Sequence, residues 1–472
     1  MNKKINNSLK FSSVIAIAIA LFFTSCDRDI SDDATPSIYA NTAEIFTDTP
    51  IGMGSDFYFP YSGSKATAWT VDSQVSYKGT SSMRFDVPNA TDSDGSYAGG
   101  IFRVDGAGRD LTGYDALTFW IKASQGVVIS ELGFGEDFNT YSGNKYITTL
   151  NNTSIGTNWQ KIIIPIPDAS KLLQERGMFR YAAGTTGTNN LGYTFWIDEL
   201  KFEKLGTIRV LESKILNGVD TTEQSFTGSV TTIGGLSSTF NLASGTNQTV
   251  SVAPSYYTFT SSNPAVATVN ELGVVNVVGL TGTTVISAKL GSNLAKGSLT
   301  ITSNGSFPQP PTPTHPAANV RSVFSNTYTN VVTPNFTPNF GGSTTTAILG
   351  SVSGNNFVRY SNNNYTGIMF LDSPINGSTM KFMHVDVYVQ VASSVGFQIR
   401  DIGANQIIDT DVNSGNAIGD DKDYRFTANL TPGWNSINIP LAGNLTTQKN
   451  NLGAIIVTGG PNFILDNIYF FL

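Results

Sequence analysis

The chain has 472 residues, 28 of them Lys or Arg and 35 Asp or Glu, for a formal net charge of −7 with only 13% of residues charged. An acidic surface repels phosphate backbones, which argues against nucleic acid as a partner. Two histidines and one cysteine leave Ser-His-Asp triads, Cys-His dyads and His-rich zinc sites without raw material.

The chain opens with Lys3, Lys4 and Lys10, then an unbroken apolar run from Val14 to Phe23. Ten residues are too few for a bilayer-spanning helix, which takes roughly 20, so residues 1–25 read as a signal peptide. Thr24 and Ser25 then precede Cys26, a thiol that can carry diacylglycerol and become the new N-terminus. The pattern resembles the lipobox of bacterial lipoproteins, with Phe23 where Leu is usual. Losing the three lysines takes the net charge from −7 to about −10. Residues 26–37, with Asp27, Asp29, Asp32 and Asp33, read as an acidic tether. That tether resembles the export signal that sends Bacteroidetes lipoproteins to the outer face of the outer membrane. A lipid anchor of this kind holds a protein on the membrane without spanning it.

Charges at about half the usual ~25%, beside abundant Thr, Ser, Asn and Gly, suit an extracellular all-β protein whose turns carry hydroxyls and amides. Helical periodicity is nearly absent; the best stretch, 168–176, allows a turn or two. Three domains are expected, at 38–205, 208–303 and 319–472. A proline-rich linker, 304–318, is expected to form an extended, semi-rigid spacer before the third.

The outer domains share signals in register. Tyr97-Ala98-Gly99-Gly100-Ile101-Phe102 matches Tyr365-Thr366-Gly367-Ile368-Met369-Phe370, and the strand at 115–121 matches 380–388. Asn158-Trp159-Gln160-Lys161-Ile162-Ile163-Ile164-Pro165 matches Gly433-Trp434-Asn435-Ser436-Ile437-Asn438-Ile439-Pro440, and 195–202 matches 463–470. All four lie in period-two segments, so one β-sandwich architecture is used twice.

The Trp-x-x-Ile-x-Ile-Pro strand and the closing aromatic-x-Ile-Asp-x-Ile-x-Phe strand resemble jelly-roll carbohydrate-binding modules with a galactose-binding-like fold. Domain three also resembles a C-terminal module found beside secreted glucanases and binding lipoproteins of Flavobacteria. The residues that carry this are Phe324 to Thr329, Asn335 to Gly341 and His384 to Val387, with Phe340 where tryptophan and Asn326 where aspartate are usual. Residues 259–269, 273–280 and 282–288 closely resemble a bacterial Ig-like domain of the invasin/intimin type, which implies a spacer.

Sugars are bound by stacking their C–H faces on aromatic rings while amides, carboxylates and guanidiniums bond the hydroxyls. In domain one the richest stretch runs from Glu131 to Tyr146, with Phe134, Glu136, Phe138 and Tyr141; Tyr97, Phe102 and Arg103 join from a neighbouring strand. Phe102 and Phe134 alternate with core positions, so burial competes with a ligand role for both. The counterparts in domain three are Arg359, Tyr360 and Tyr365 on one side and Gln398 and Arg400 on the other. Gln398 and Arg400 share a strand face opposite Phe397 and Ile399, and a solvated outer face is the competing reading. Trp69 could serve either role; Trp120, Trp159, Trp196 and Trp434, bracketed by apolar strand residues, are expected in the core.

Catalysis would need two carboxyls facing each other across a cleft, ~5–5.5 Å or ~6.5–9.5 Å apart. Asp198 and Glu199 are consecutive on a strand and point apart, and the acid-rich strand of family-16 glucanases is missing. Asp198 and Asp466 occupy matching inward positions and read as structural. No cofactor is expected; modules of this fold often hold a structural calcium, but no Asp-x-Asp-x-Asp loop fixes one. The expectation is a non-enzymatic surface lipoprotein that captures a polysaccharide, a β-glucan by analogy of domain three, for a neighbouring outer-membrane uptake system. The alternatives are an adhesion or structural surface protein and a divergent glycoside hydrolase.

Overall fold

The computed structural model describes residues 39–138, 145–338, 340–411, 414–460 and 462–472. The signal segment, the acidic tether, Cys26 and Tyr141 lie outside the described residues. Among the described residues no helix is long and apolar enough to cross a membrane.

The fold is all-β. In the first unit one sheet runs Trp69–Asp72, Ser82–Val87, Tyr193–Glu203, Ala116–Ala123, Gln160–Pro165, with Glu44–Phe46 also on Tyr193–Glu203. The facing sheet begins Tyr58–Pro60, Ala98–Arg103, Gly177–Ala183, Val127–Phe134, Thr148–Ile155. Period two decides what enters the core: Leu117, Phe119 and Ile121 point inward and are fully buried, as are Phe85, Phe195 and Ile197 on the neighbouring strands.

The third unit repeats the plan. Thr346–Val352, Asn355–Ser361, Phe463–Phe471, Phe382–Val389 and Gly433–Pro440 form one sheet, with Val320–Phe324 beside Phe463–Phe471. Tyr365–Met369, Leu452–Gly459, Ser393–Asp401 and Lys422–Leu430 form the other. Both long closing strands carry the same irregularity: Glu199 (φ 50°) and Asn467 (φ 48°) are left-handed. In each, the fully buried aspartate before it accepts that residue's N–H, Asp198 at 2.7 Å and Asp466 at 2.6 Å. These carboxylates are structural because they satisfy backbone donors that the kink takes out of the ladder.

The middle unit does not stand apart from the first. Its strand Asn247–Val252 pairs with Thr148–Ile155, so Ser237–Asn241 and Arg209–Lys214 extend the first unit's sheet to eight strands. Phe240, Val250 and Tyr256 belong to the same core as Phe85 and Phe102. The remaining strands form a five-stranded sheet, with Asp220–Thr227 parallel to Ser298–Ser306, and a three-stranded one.

The proline-rich segment, expected as a semi-rigid spacer, lies bound to its neighbours. Phe307 is buried against Phe226, Phe357 and Trp434. The Trp434 indole donates to Pro308 O at 2.6 Å, Asn467 Nδ2 to Pro311 O at 3.1 Å and the Tyr328 hydroxyl to His315 O at 2.7 Å. Proline removes N–H donors but leaves its carbonyls free, and the third unit uses those carbonyls to hold the segment as a strap.

Candidate functional site

On the outer face of the first unit's second sheet, Gly99, Ala182 and Glu131 stand side by side across three strands, with Asn151 next. One step along lie Ile101, Arg180, Gly133 and Thr149. Gly99, Ala182 and Gly133 make a floor almost without side chains. Tyr61 and Tyr97 lie over that floor; a Cβ at Gly99 would come within 2.8 Å of Tyr97 and 2.9 Å of Tyr61. The Tyr97 hydroxyl donates to Ser62 O at 3.0 Å.

Arg180 is the centre. It is the single charge between buried Phe179 and Tyr181, so alternation turns it outward. Its Nε donates to Glu136 Oε2 at 2.5 Å, its Nη2 to Glu131 Oε2 at 2.5 Å and its Nη1 to Thr149 Oγ1 at 2.6 Å. The Tyr61 hydroxyl donates to the same Glu136 oxygen at 2.6 Å. Burial pulls the Arg180 pKa down, but Tyr61, Glu136 and Glu131 outweigh it and hold it above the usual arginine value. Burial pushes the Tyr61 phenol upward as well. The cation, the carboxylates and the phenol are thereby fixed in advance, which lowers the entropy lost when a ligand binds.

Phe138, 45% exposed, closes one end of the face, edge-on to Tyr61 at 5.6 Å. The loop that presents Glu136 and Phe138 is braced from beneath. Arg103 Nη1 meets Asp137 Oδ1 at 2.7 Å, and Arg176 Nη1 lies 3.4 Å from Asp137 Oδ2. Gly135 (φ 87°) makes the turn, and a Cβ at Gly177 would stand 2.4 Å from the Glu136 nitrogen. Residues with side chains at these two positions would push the loop off the sheet.

The sequence placed Tyr97, Glu136 and Phe138 at this face, and the structure brings them together with Arg180 and Tyr61. Sequence reasoning missed both partners. The signal for Arg180 was present, a lone charge in an apolar strand; Tyr61 lies outside any regular pattern.

Several expected ligand residues are corrected. Phe134 is fully buried, edge-on to Phe202 at 5.6 Å, because its strand alternation turns it inward. Arg103 is 7% exposed, spent on Asp137 and seated 4.0 Å over the Phe59 ring, so it supports the loop instead of reaching a ligand. In the third unit Tyr360 is core, with its ring on Phe463 and its hydroxyl donating to Phe336 O at 3.2 Å. Arg359 is tied to Glu223 and Gln224 O of the middle unit. Gln398 and Arg400 do share a face, but Asp409, Thr410 and Gly415 cover it. Arg400, 1% exposed, donates to Thr410 Oγ1 at 2.5 Å and Gly415 O at 3.0 Å; Gln398 donates to Gly415 O at 3.0 Å and to Asp423. Tyr365 stays half-exposed, its hydroxyl donating to Gly341 O.

The four tryptophans expected in the core are half-buried on outer sheet faces. Apolar neighbours along a strand point to the opposite side, so Phe119 and Ile121 in the core put Trp120 outside it. Trp69 packs edge-on to Phe57 and Phe102 at 5.6 and 5.2 Å.

For a cation, Asp409, Asp420 and Asp421 each bring one oxygen into a group spanning 4.8 Å. Burial raises the Asp421 pKa, and Arg400 stands 3.8 Å from its Oδ2.

No curated protein matches the chain. Among solved structures, a family 30 carbohydrate-binding module shares 20% identity with a TM-score of 0.26, covering 34% of this chain and 87% of its own. The family 30 module of a cellulosomal cellulase of Clostridium thermocellum shares 17% identity with a TM-score of 0.23, covering 36% and 96%. A family 11 carbohydrate-binding module from Clostridium thermocellum, in complex with a β-1,3-1,4-mixed-linked tetrasaccharide, shares 18% identity with a TM-score of 0.21, covering 28% and 85%. The family model that matches the chain is that of carbohydrate binding domain 30, over residues 42–204, the extent of the first jelly roll.

Proposed function

We propose that this protein is a non-catalytic polysaccharide-binding lipoprotein of the outer-membrane surface. It captures glycan, a β-glucan by analogy, for a neighbouring uptake system. The observation that carries the reading is the coincidence of the carbohydrate-binding match, residues 42–204, with the prearranged face built on Arg180, Glu136, Glu131, Tyr61, Tyr97 and Phe138. Ring faces beside fixed hydrogen-bonding groups on a small-residue floor suit a sugar chain lying across the strands. Glu131 and Glu136 converge on one guanidinium instead of facing each other over a gap, which favours binding over hydrolysis. The lipobox-like segment ending at Cys26 supports the anchor and the acidic tether supports surface display. The middle unit, Ig-like in sequence, extends the sheet and joins the two sandwiches.

Affinity electrophoresis of the Cys26→Ser chain through gels cast with β-glucan, xylan, mannan and pullulan tests the reading. Retardation by at least one polymer, weakened in Arg180→Met, is the expected result. No retardation in any gel, or release of reducing ends from a retarding polymer, would refute it.

A further inference from the structure

The opposite sheet of the first unit carries a second group of rings. Tyr77, 41% exposed, stacks on Trp120 at 4.0 Å with 14° between planes, and meets Trp159 edge-on at 5.9 Å. Lys122 Nζ sits 5.5 Å from the Trp196 ring and 5.8 Å from the Trp159 ring. The Trp196 strand lies between those of Arg84 and Lys122, and Trp159 directly precedes the strand beyond. Trp196 and Trp159 therefore stand about two strand spacings apart, roughly 10 Å.

This surface is held rigid from within. Buried Asp198 accepts the N–H of Tyr77 at 2.7 Å and of Lys78 at 3.0 Å, which pins the turn that lays Tyr77 over Trp120. The Trp196 indole donates to Asp72 at 2.9 Å. Among the described residues the indole N–H groups of Trp120 and Trp159 have no acceptor, and neither is sealed from solvent.

The repeat shows what the same face looks like when protein covers it. By strand register Arg84, Trp196, Lys122 and Trp159 correspond to Arg359, Ile464, Tyr388 and Trp434. In the third unit that face is closed: Arg359 is paired with Glu223, Phe226 packs on Tyr388 at 6.0 Å, Phe307 on Trp434 at 6.0 Å, and the Trp434 indole is spent on Pro308. In the first unit Ile and Tyr give way to Trp and Lys, so the rings are separated by charges that stay hydrated. A protein surface closing over Lys122 would have to desolvate its ammonium group. A sugar chain would not: its C–H faces stack on the rings while its hydroxyls bond the ammonium and the free indole N–H groups.

We propose that this face, formed by Tyr77, Trp120, Lys122, Trp159 and Trp196, is a second glycan-contacting surface. The first unit then holds polysaccharide on both sides of its sandwich. This rests on the glycan-binding reading above and adds a site on the opposite sheet.

The test uses the full chain carrying Cys26→Ser, in gels of whichever polysaccharide retards it, with a variant of the Arg180 face (Arg180→Met), a variant of the tryptophan face (Trp159→Ala) and their combination. Each single variant is expected to weaken binding roughly five- to tenfold, the size of a lost ring or charge contact, and the combination to abolish it. Trp159→Phe should restore most of the tryptophan-face contribution, which a merely destabilised sandwich would not show. Trp fluorescence of the Arg180→Met chain should still respond to the polymer. Unchanged retardation in Trp159→Ala, with Arg180→Met alone abolishing binding, would overturn the second surface while leaving the first intact. Self-association of the parent chain that is lost in Trp159→Ala, with glycan retardation unchanged, would overturn it in favour of protein contact. Absence of retardation in the parent chain would instead refute the underlying reading.

Discussion

Glu175 is buried beneath the loop that presents Glu136 and Phe138, its Oε1 accepting the N–H of Gly177 at 2.8 Å and of Arg176 at 3.0 Å. Burial raises its pKa from 4.5 to about 7, with the Asp137 charge adding to the rise. The folded chain therefore holds this proton where the unfolded chain has released it. Stability from this group is complete below about pH 4.5, falls as pH rises, and is lost above about pH 7; the whole effect is about 3 kcal/mol. Glu175→Gln keeps the acceptor and removes the titration, so its melting temperature should vary less between pH 5 and 7 than the parent's. An equally steep pH dependence in the variant would refute this assignment. Phe138 differs because almost half of it is exposed. Phe138→Ala should weaken glycan binding about fivefold, in the range of a lost ring contact, and leave the melting temperature within a degree or two.

At the scale of elements, the strap and the edge strand carry the clearest consequences. Residues 307–316 contribute a buried ring and three accepting carbonyls to the third unit, so replacing them with a Gly/Ser linker of equal length should lower that unit's melting temperature. The parent segment should also resist a protease that cuts after Phe, and rapid cleavage at Phe307 would contradict the strap. Two glycan-binding sandwiches on a spacer would reinforce one another on long polymers, but here the proline-rich segment is bound to the third unit. Of the residues expected at the third unit's site, Tyr360, Gln398 and Arg400 are buried and Arg359 is paired with Glu223, which leaves Tyr365 half-exposed. Affinity is expected to reside in the first unit, and the isolated third unit should show little retardation. In the first unit, Thr148–Ile155 is an internal strand only because Asn247–Val252 pairs with it. A fragment ending at residue 205 exposes that edge, and it should melt lower and aggregate more readily than one ending at 306, as measured by calorimetry and light scattering.

For the whole molecule, the proposed anchor and the proposed binding face are separable. On that reading Cys26→Ser should move the protein from the membrane fraction to the soluble one without altering affinity for polymer, because an acyl chain would supply the insertion energy and the first unit the recognition. Membrane association that persists in the variant would refute the lipid anchor.

Much of the architecture was legible in the sequence. Period-two runs, the two Trp-x-x-Ile-x-Ile-Pro strands and the two Ile/Leu-Asp closures identified an all-β chain with one sandwich plan used twice, because strand alternation and turn chemistry are local. Those signals also put Tyr97, Glu136 and Phe138 near one another. What the sequence could not decide was which outward face meets water. Gln398 and Arg400 carry the same alternation as Arg180, but a loop folds over the first two and leaves the third open at its rim. Trp159 and Trp434 occupy the same strand position, yet one indole is free and the other is bound to a proline carbonyl. Alternation fixes the side of the sheet on which a residue stands; only the packing of distant segments fixes what covers that side, and here that packing separates an open face from an internal seam.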